Sequence, residues 1–312
     1  MTTLLYTHPA SLQHDPGPGH PESPARMRAI LSVLEREERK GGLVGVQREE
    51  APRATREQLE RAHSSRYVDA ILGAEPASGY RRLDPDTAMS PGSVEAALRA
   101  AGGAVAAVAA VVGGNASNAF CALRPPGHHA EPERAMGFCL FNSIAIGALE
   151  ALAAHDVARV SIFDFDVHHG NGTQAIFAGE PAVQYLSTHQ WPLYPGTGAL
   201  DEVGVGNIVN RPLPAGTGSK EWRAVVTSDI LPAIDRFAPE LIMISAGFDA
   251  HRADPLAMLE LVEDDYGWVT REVTALADRH AAGRVVSVLE GGYDLTALAN
   301  SCLAHLNALR ES

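Results

Sequence analysis

The chain has 312 residues, of which 46% are apolar, 20% charged and 6% aromatic, a composition typical of a globular protein with a substantial core. Its 38 acidic residues outnumber 25 basic ones, and the resulting formal charge of −13 disfavours binding to the phosphate backbone of nucleic acids. Three scattered cysteines are too few for a disulfide framework or a thiolate zinc site.

The N-terminal segment lacks the basic start and the long apolar run of a secretory signal. The most apolar stretch, residues 100–112, is rich in Ala, Val and Gly. It is shorter than the roughly 20 residues that a membrane span needs. We therefore predict a buried helix there, and expect a cytoplasmic protein that does not contact a membrane.

Short apolar segments alternate with longer amphipathic ones, which is typical of a parallel β-sheet flanked by helices. No segment resembles a linker or a repeat, so we predict a single α/β domain over residues 1–312. The predicted strands cover residues 119–123, 160–165, 183–187, 241–245 and 285–289. The predicted helices include residues 24–40, 93–112, 143–155, 222–237 and 264–280. The strands are apolar on both faces, as buried parallel strands are.

A cluster of polar residues follows or ends each predicted strand. In chain order the clusters read RPPGHH, DFDVHHGNG, STHQW, AGFD and EGGY. Ligands bind at the carboxyl ends of the strands in open α/β sheets. We therefore expect these five clusters to form one site.

The second cluster has the spacing of a metal site. Asp164, Asp166 and His168 alternate along an extended segment and therefore share one face. Two carboxylates and an imidazole on one face require a cation or a proton among them. Asp166 and His168 can reach one ion, and Asp249 can supply a third ligand. Three protein ligands and an open position are typical of catalytic zinc, although oxygen donors leave Fe(II) and Co(II) open.

A second metal ion is not predicted. A binuclear site of the arginase kind needs carboxylates where this chain has Asn171 and His251. The sequence also lacks a Gly-x-Ser-x-Gly nucleophile elbow and a Walker loop. We therefore predict a hydrolase with a single metal.

Two adjacent histidines and a tyrosine are candidates for the proton chemistry. Pro and Gly before His128 and His129 supply a turn that can bring both rings to one site. A carboxylate such as Asp164 would favour a charged imidazolium, whereas the amide of Asn171 would leave a ring near its ordinary pKa. Tyr293 follows two glycines and can donate to an oxygen that develops negative charge.

With these residues in view, the chain resembles the histone deacetylase family of the arginase/deacetylase superfamily. The likeness runs through GHPESPAR, RPPGHHA, GFCLFN, DFDVHHGNGTQ, SAGFDAH and LEGGYD. Asn171, the complete HPExPxR segment and SAGFDAH resemble the class II and bacterial amidohydrolase branch more than class I.

The resemblance implies an eight-stranded, mostly parallel sheet and one Zn²⁺ on the three ligands named above. It implies that His129 is the general base and acid. His128, paired with Asp164, would act mainly through its charge. Tyr293 would polarise the acetyl carbonyl together with the zinc ion.

The resemblance also implies a substrate tunnel and a structural K⁺ site. The implied tunnel residues are Gly137, Phe138, Tyr194, Leu256, Gly291 and Gly292. Arg26 falls where the family lines an inner channel for acetate. The implied K⁺ ligands are backbone oxygens of Asp164, Asp166 and His168, together with Ser187.

The implied substrate is acetyl-lysine in a protein or peptide, and an acetylated polyamine is the alternative. The polyamine branch has a glutamate after the Asp-Pro that follows the third ligand, where this chain has Leu256. Glu131 or Glu133 could supply that acid instead. A binuclear manganese ureohydrolase and a non-catalytic acyl-lysine binder are weaker alternatives. The sequence leaves the oligomeric state open, a homo-oligomer included.

Overall fold

The computed structural model describes residues 2–312, in which eight strands form one parallel sheet. The strands in chain order are β1 (Thr3–Thr7), β2 (Val46–Glu50), β3 (Arg81–Arg82), β4 (Ala88–Met89), β5 (Asn118–Cys121), β6 (Val160–Asp164), β7 (Val183–Gln190), β8 (Ile208–Leu213), β9 (Leu241–Ala246) and β10 (Val285–Leu289). The sheet order is β2-β1-β5-β10-β9-β6-β7-β8, and β3 pairs with β4 in a separate antiparallel ribbon.

Helices cover both faces of this sheet. They are α1 (Pro24–Arg39), α2 (Arg56–Ala62), α3 (Ser65–Leu72), α4 (Ser93–Val112), α5 (Ser143–Ala154), α6 (Asn171–Phe177), α7 (Ser219–Val225), α8 (Leu231–Phe237), α9 (Glu263–His280) and α10 (Leu295–Glu311). A 3₁₀ turn spans Pro9–Leu12, and a π-helical segment, Val226–Ile230, joins α7 to α8. One apolar core packs α4 and α5 on the sheet, and the other packs α1, α9 and α10.

Small residues allow α4 to pack closely. A Cβ atom on Gly102 would stand 2.1 Å from the carbonyl oxygen of Pro52, and one on Gly103 would stand 2.4 Å from Leu123 Cδ1. By length and composition α4 could cross a membrane, but 61% of its most apolar window is buried within the fold. Its apolar character is therefore accounted for by contact with α5 and β5.

The structure confirms the α/β fold and the five predicted strands, with shifts of a few residues at their ends. The sheet is entirely parallel, and β7 continues through Gln190, three residues beyond its predicted end at Ser187. The prediction missed β1, β2 and β8 of this sheet, and the two-residue strands β3 and β4 of the separate ribbon. Strands β2 and β8 are the sheet edges, and their sequences, VQREE and IVNRPL, carry polar residues and a proline that an edge strand tolerates.

Candidate metal centre and catalytic cleft

Strands β5, β10, β9 and β6 are neighbours in the centre of the sheet. Because they are parallel, the segments that follow them meet at one edge. These segments carry, in chain order, His128, His129, Asp166, His168, Asp249 and Tyr293. Four of the polar clusters predicted from the sequence thus come together here.

The three predicted metal ligands form a compact buried group. Ligand atoms of Asp166, His168 and Asp249 all lie within 4.8 Å of one another. Nδ1 of His168 lies 3.1 Å from Asp166 Oδ1 and 3.2 Å from Asp249 Oδ2. Burial lowers the pKa of His168, but hydrogen bonds to the two carboxylates outweigh it and raise that pKa to about 10. The group is thus arranged to hold positive charge.

Backbone groups orient both carboxylates. The amide of Gly291 donates to Asp166 Oδ2 at 2.8 Å, and the amide of Val167 donates to Asp249 Oδ1 at 2.9 Å. Only a residue without a side chain fits beside them, since a Cβ on Gly291 would stand 2.0 Å from Asp249 Oδ2. The possible metal ligands are therefore two oriented carboxylates and one imidazole, and all three side chains are buried. These residues fit a divalent cation.

The two adjacent histidines have different partners. His128 Nδ1 lies 3.0 Å from Asp164 Oδ2, which also accepts a hydrogen bond from the Tyr185 hydroxyl at 3.0 Å. His129 Nδ1 lies 2.8 Å from Asn171 Oδ1. The two rings are 4.0 Å apart between centroids. The structure therefore places a carboxylate on one ring and an amide on the other.

These partners separate the charge states of the two rings. Burial lowers the pKa of His128, but the charges of Asp164 and Asp166 outweigh it and raise that pKa well above its usual value. Burial, reinforced by the positive charge of His128, lowers the pKa of His129 well below its usual value. His128 is therefore charged and His129 neutral, as a pair with separate proton roles requires.

Glu290, at the end of β10, holds the loop that carries both histidines. Its Oε2 atom accepts hydrogen bonds from the amides of Gly127 at 2.6 Å and His128 at 3.1 Å. Burial raises the pKa of this carboxyl to about 7. Glu290 belongs to the EGGY cluster, but nothing in the local sequence indicates its partners, so this role was not predicted.

Arg26 holds the turn that presents Tyr293. Its Nε donates to the carbonyl of Gly292 at 2.6 Å, its Nη2 to the carbonyl of Glu290 at 2.5 Å, and its guanidinium lies 5.0 Å from the centre of the Tyr293 ring. Nη1 donates to Glu22 Oε1 at 3.1 Å. Burial raises the pKa of the Tyr293 phenol well above its usual value, so the hydroxyl remains a donor.

A cleft of about 230 Å³ opens onto the site. Its lining comprises Asp86, His129, Gly137, Phe138, His168, Leu193, Tyr194, Leu256 and Tyr293. Most of the predicted tunnel residues are among them. Gly291 and Gly292 instead lie buried against Asp249 and Leu298, outside the residues that line the cleft.

Residues 137 and 138 adopt left-handed backbone conformations, with φ of 58° and 69°. A Cβ on Gly137 would stand 2.3 Å from the His129 ring, so glycine is required there. A phenylalanine such as Phe138 rarely adopts the left-handed backbone conformation. It is held because its amide donates to Thr87 Oγ1 at 3.0 Å, while Asp86 Oδ1 accepts the Gly137 amide at 3.0 Å. Asp86 and Thr87 lie outside every strand-end cluster, and their place at the site was therefore not predicted.

The residues predicted to hold K⁺ also lie together. In the register of β6 and β7, Asp164 is the direct partner of Ser187, and both are buried. The hydroxyl of Ser187 lies 2.9 Å from His189 Nδ1. K⁺ binding stays a prediction.

Residues 20–309 match the histone deacetylase domain. The chain belongs to the histone deacetylase family. Among its relatives, a histone deacetylase-like amidohydrolase of Pseudomonas aeruginosa is 42% identical over 281 residues, covering 88% of this chain and 73% of the relative. Histone deacetylase 14 of Arabidopsis thaliana is 38% identical over 324 residues, with 98% and 76% coverage.

A solved structure of this family has the same fold. The HDA15 HD domain superposes with a TM-score of 0.94 at 36% identity, covering 100% of this chain and 88% of the other. The resemblance and the eight-stranded fold predicted from the sequence are confirmed. The chain is therefore a member of a family of deacetylases and amidohydrolases, with a buried Asp-His-Asp group suited to a metal.

Proposed function

We propose that this histone deacetylase-family protein hydrolyses the acetyl amide of acetylated lysine in proteins or peptides. One Zn²⁺ would be held by Asp166, His168 and Asp249. The main observation in support is that these three buried ligands, the neutral His129 and Tyr293 lie together at one cleft. A divalent cation supplies Lewis acidity there, making water more acidic and an acyl oxygen more polarised.

His129 is suited to move the proton. Its Nδ1 faces Asn171 Oδ1 at 2.8 Å, an acceptor, so Nδ1 carries the hydrogen and Nε2 has a free lone pair. Nε2 can then take a proton from water and give it to the departing amine of lysine. His128 stays protonated because its Nδ1–H donates to the Asp164 carboxylate, and its ring therefore contributes a positive charge beside the reacting group.

Tyr293 is suited to stabilise the oxygen of the tetrahedral intermediate. Its hydroxyl stays protonated and can donate to that oxygen. Arg26 and the backbone turn at residues 291–292 hold the ring before substrate arrives, so little reorganisation is needed. Phe138 contacts the same ring edge-on, with centroids 5.9 Å apart.

The cleft favours an acetylated lysine over a polyamine. A polyamine carries further cationic amines that need an acid near the entrance, and Leu256 lines the cleft where that branch has a glutamate. Glu131 accepts a hydrogen bond from Asn171 at 2.7 Å, and Glu133 pairs with Arg66 at 3.3 Å. Glu131 is therefore committed to Asn171, and the exposed Glu133 lies outside the cleft lining, where the carboxylate present, Asp86, already accepts the amide of Gly137.

The binuclear alternative has no support from the same positions. Asn171, where a second metal needs a carboxylate, bonds to His129 and Glu131. His251 lies 3.4 Å from Glu263 and accepts the amide of Ala253 at 3.1 Å. A site for one divalent cation, with the K⁺ site implied by the resemblance beside it, is the arrangement we propose.

The test compares kcat/KM of the Zn²⁺-loaded protein on an acetyl-lysine peptide, acetylputrescine and acetylspermidine. We expect the peptide to be preferred by tenfold or more, which corresponds to about 1.4 kcal/mol in transition-state binding. The Leu256→Glu variant should shift the ratio toward the polyamines. A polyamine preference of the unaltered protein would overturn the proposed substrate, and reloading with Fe(II) or Co(II) tests the metal.

A further inference from the structure

The side chain of Asn171 stands between His129 and Glu131. Asn171 is the first residue of α6 and is 6% exposed. Its Oδ1 faces His129 Nδ1 at 2.8 Å, and its Nδ2 faces Glu131 Oε1 at 2.7 Å and Met136 Sδ at 3.3 Å. Every polar atom of this amide therefore has a partner.

The orientation of this amide decides which nitrogen of His129 is basic. With Oδ1 toward the ring, Nδ1 must donate and Nε2 is left free. With the amide turned over, Nδ2 would donate to Nδ1, and the ring hydrogen would move to Nε2. The two amide orientations have nearly the same shape, so packing alone distinguishes them poorly. A further partner has to select one.

Glu131 makes that selection. An ionised carboxylate only accepts hydrogen bonds, so it can face Nδ2 of Asn171 and not Oδ1. Met136 Sδ lies on the same side and is a weak acceptor, which favours the same orientation. The hydrogen-bond chain therefore runs in one direction, from His129 to Asn171 and from Asn171 to Glu131.

The backbone of Glu131 is itself held in place. Its amide donates to the carbonyl of Arg134 at 2.9 Å. Its carbonyl lies 3.0 Å from Nδ1 of the buried His63, whose Nε2 accepts the amide of Asn142 at 2.9 Å. Since Nε2 accepts, Nδ1 of His63 carries the hydrogen and donates to Glu131. Both backbone polar groups of Glu131 are thus hydrogen-bonded, which fixes the point from which its carboxylate reaches Asn171.

We propose that Glu131 is a positioning residue that sets the His129 tautomer through Asn171. This inference rests on the proposed function, in which Nε2 of His129 is the base. Loss of the carboxylate should lower kcat by about 10-fold or more, because the fraction of His129 in the other tautomer loses the contribution of a positioned general base. KM should change little, because Glu131 does not line the cleft.

The experiment compares three variants with the unaltered protein. Glu131→Ala removes the acceptor, Glu131→Gln keeps one oxygen acceptor, and Glu133→Ala is the matched control, since it removes the same charge two residues away at an exposed ion pair. We expect kcat to fall in Glu131→Ala, to recover in part in Glu131→Gln and to be unchanged in Glu133→Ala. Bound Zn²⁺ and thermal stability are measured for each.

The deciding readout is the ¹⁵N NMR spectrum of histidine-labelled protein. We expect His129 to carry its hydrogen on Nδ1 in the unaltered protein and the Nε2–H form to appear in Glu131→Ala. A Glu131→Ala protein with the original tautomer, or with the kcat of Glu133→Ala, would overturn the inference. If the unaltered protein hydrolyses none of the acetyl amides, the proposed function fails, while the tautomer measurement still decides the role of Glu131.

Discussion

Gly291 offers a direct test of the metal centre. Its φ lies outside the left-handed region, so alanine is compatible with the backbone there. The added Cβ would nevertheless stand 2.0 Å from Asp249 Oδ2 and 2.6 Å from Asp166 Oδ2. The Gly291→Ala variant therefore perturbs two of the three proposed ligands without removing any of them.

The size of the effect follows from these distances. Ordinary van der Waals contact begins at 3.4 Å, so the Asp249 carboxylate must retreat by roughly 1 Å or more. Metal–ligand distances deviate from their usual values by only about 0.2 Å. We expect an affinity for Zn²⁺ at least about 100-fold lower, and a loss of about 1–3 kcal/mol in the free energy of unfolding from overpacking.

The assay is competition for Zn²⁺ against a chromophoric chelator, with urea unfolding of the metal-free proteins alongside. Gly179→Ala is the matched control, because nothing lies within 4 Å of a Cβ at that position. It should keep the Zn²⁺ affinity of the unaltered protein. If Gly291→Ala bound Zn²⁺ within threefold of Gly179→Ala, the assignment of Asp166 and Asp249 as ligands would be refuted.

Four further outcomes are expected. Tyr293→Phe should lower turnover by orders of magnitude at unchanged Zn²⁺ content, and a normal rate measured on the acetyl-lysine peptide would remove the hydroxyl from the reaction. Asp249→Ala should lose bound metal, which elemental analysis after dialysis checks; a full equivalent of retained Zn²⁺ would contradict its ligand role. A hydroxamate, which chelates a metal with an open position, should inhibit competitively, and no inhibition at high concentration would count against an accessible cation. Burial lowers the pKa of His305 from 6.5 to about 3, so below pH 6.5 the unfolded chain binds more protons than the folded one, and stability falls as the pH drops toward 3. Urea unfolding at several pH values should show a weaker pH dependence in His305→Asn, with the slope of the unfolding free energy smaller by up to about 1.4 kcal/mol per pH unit; equal slopes in the two proteins would refute this.

Several features of this protein follow from local sequence. The central strands are apolar on both faces because helices cover both faces of the sheet, so their pattern is readable without tertiary information. Asp166 and His168 lie on one short segment, and their period of two determines that they share a face. Because neighbouring strands run parallel, Asp249 comes to the same edge of the sheet, so the three metal-ligand candidates could be predicted.

Other features depended on the tertiary structure. The edge strand β2 reads as polar, and only its pairing with β1 identifies it. Glu290 and Arg26 act across 162 to 266 residues of chain, through hydrogen bonds to a loop and a turn that no local pattern indicates. Glu131 had been a candidate for binding a polyamine, but the structure turns its carboxylate toward Asn171.

Periodicity and strand polarity are properties of the backbone, and they determine which residues face the same edge of the sheet. Which way a buried amide is turned, and which donors a buried carboxylate accepts from, depend on partners that only folding brings within about 3 Å. The family, the fold, the metal-ligand candidates and the pairing of His128 with Asp164 could therefore be read from the chain. That burial lowers the pKa of His129 well below its usual value, and which residues support the two rings, follow from contacts made only on folding.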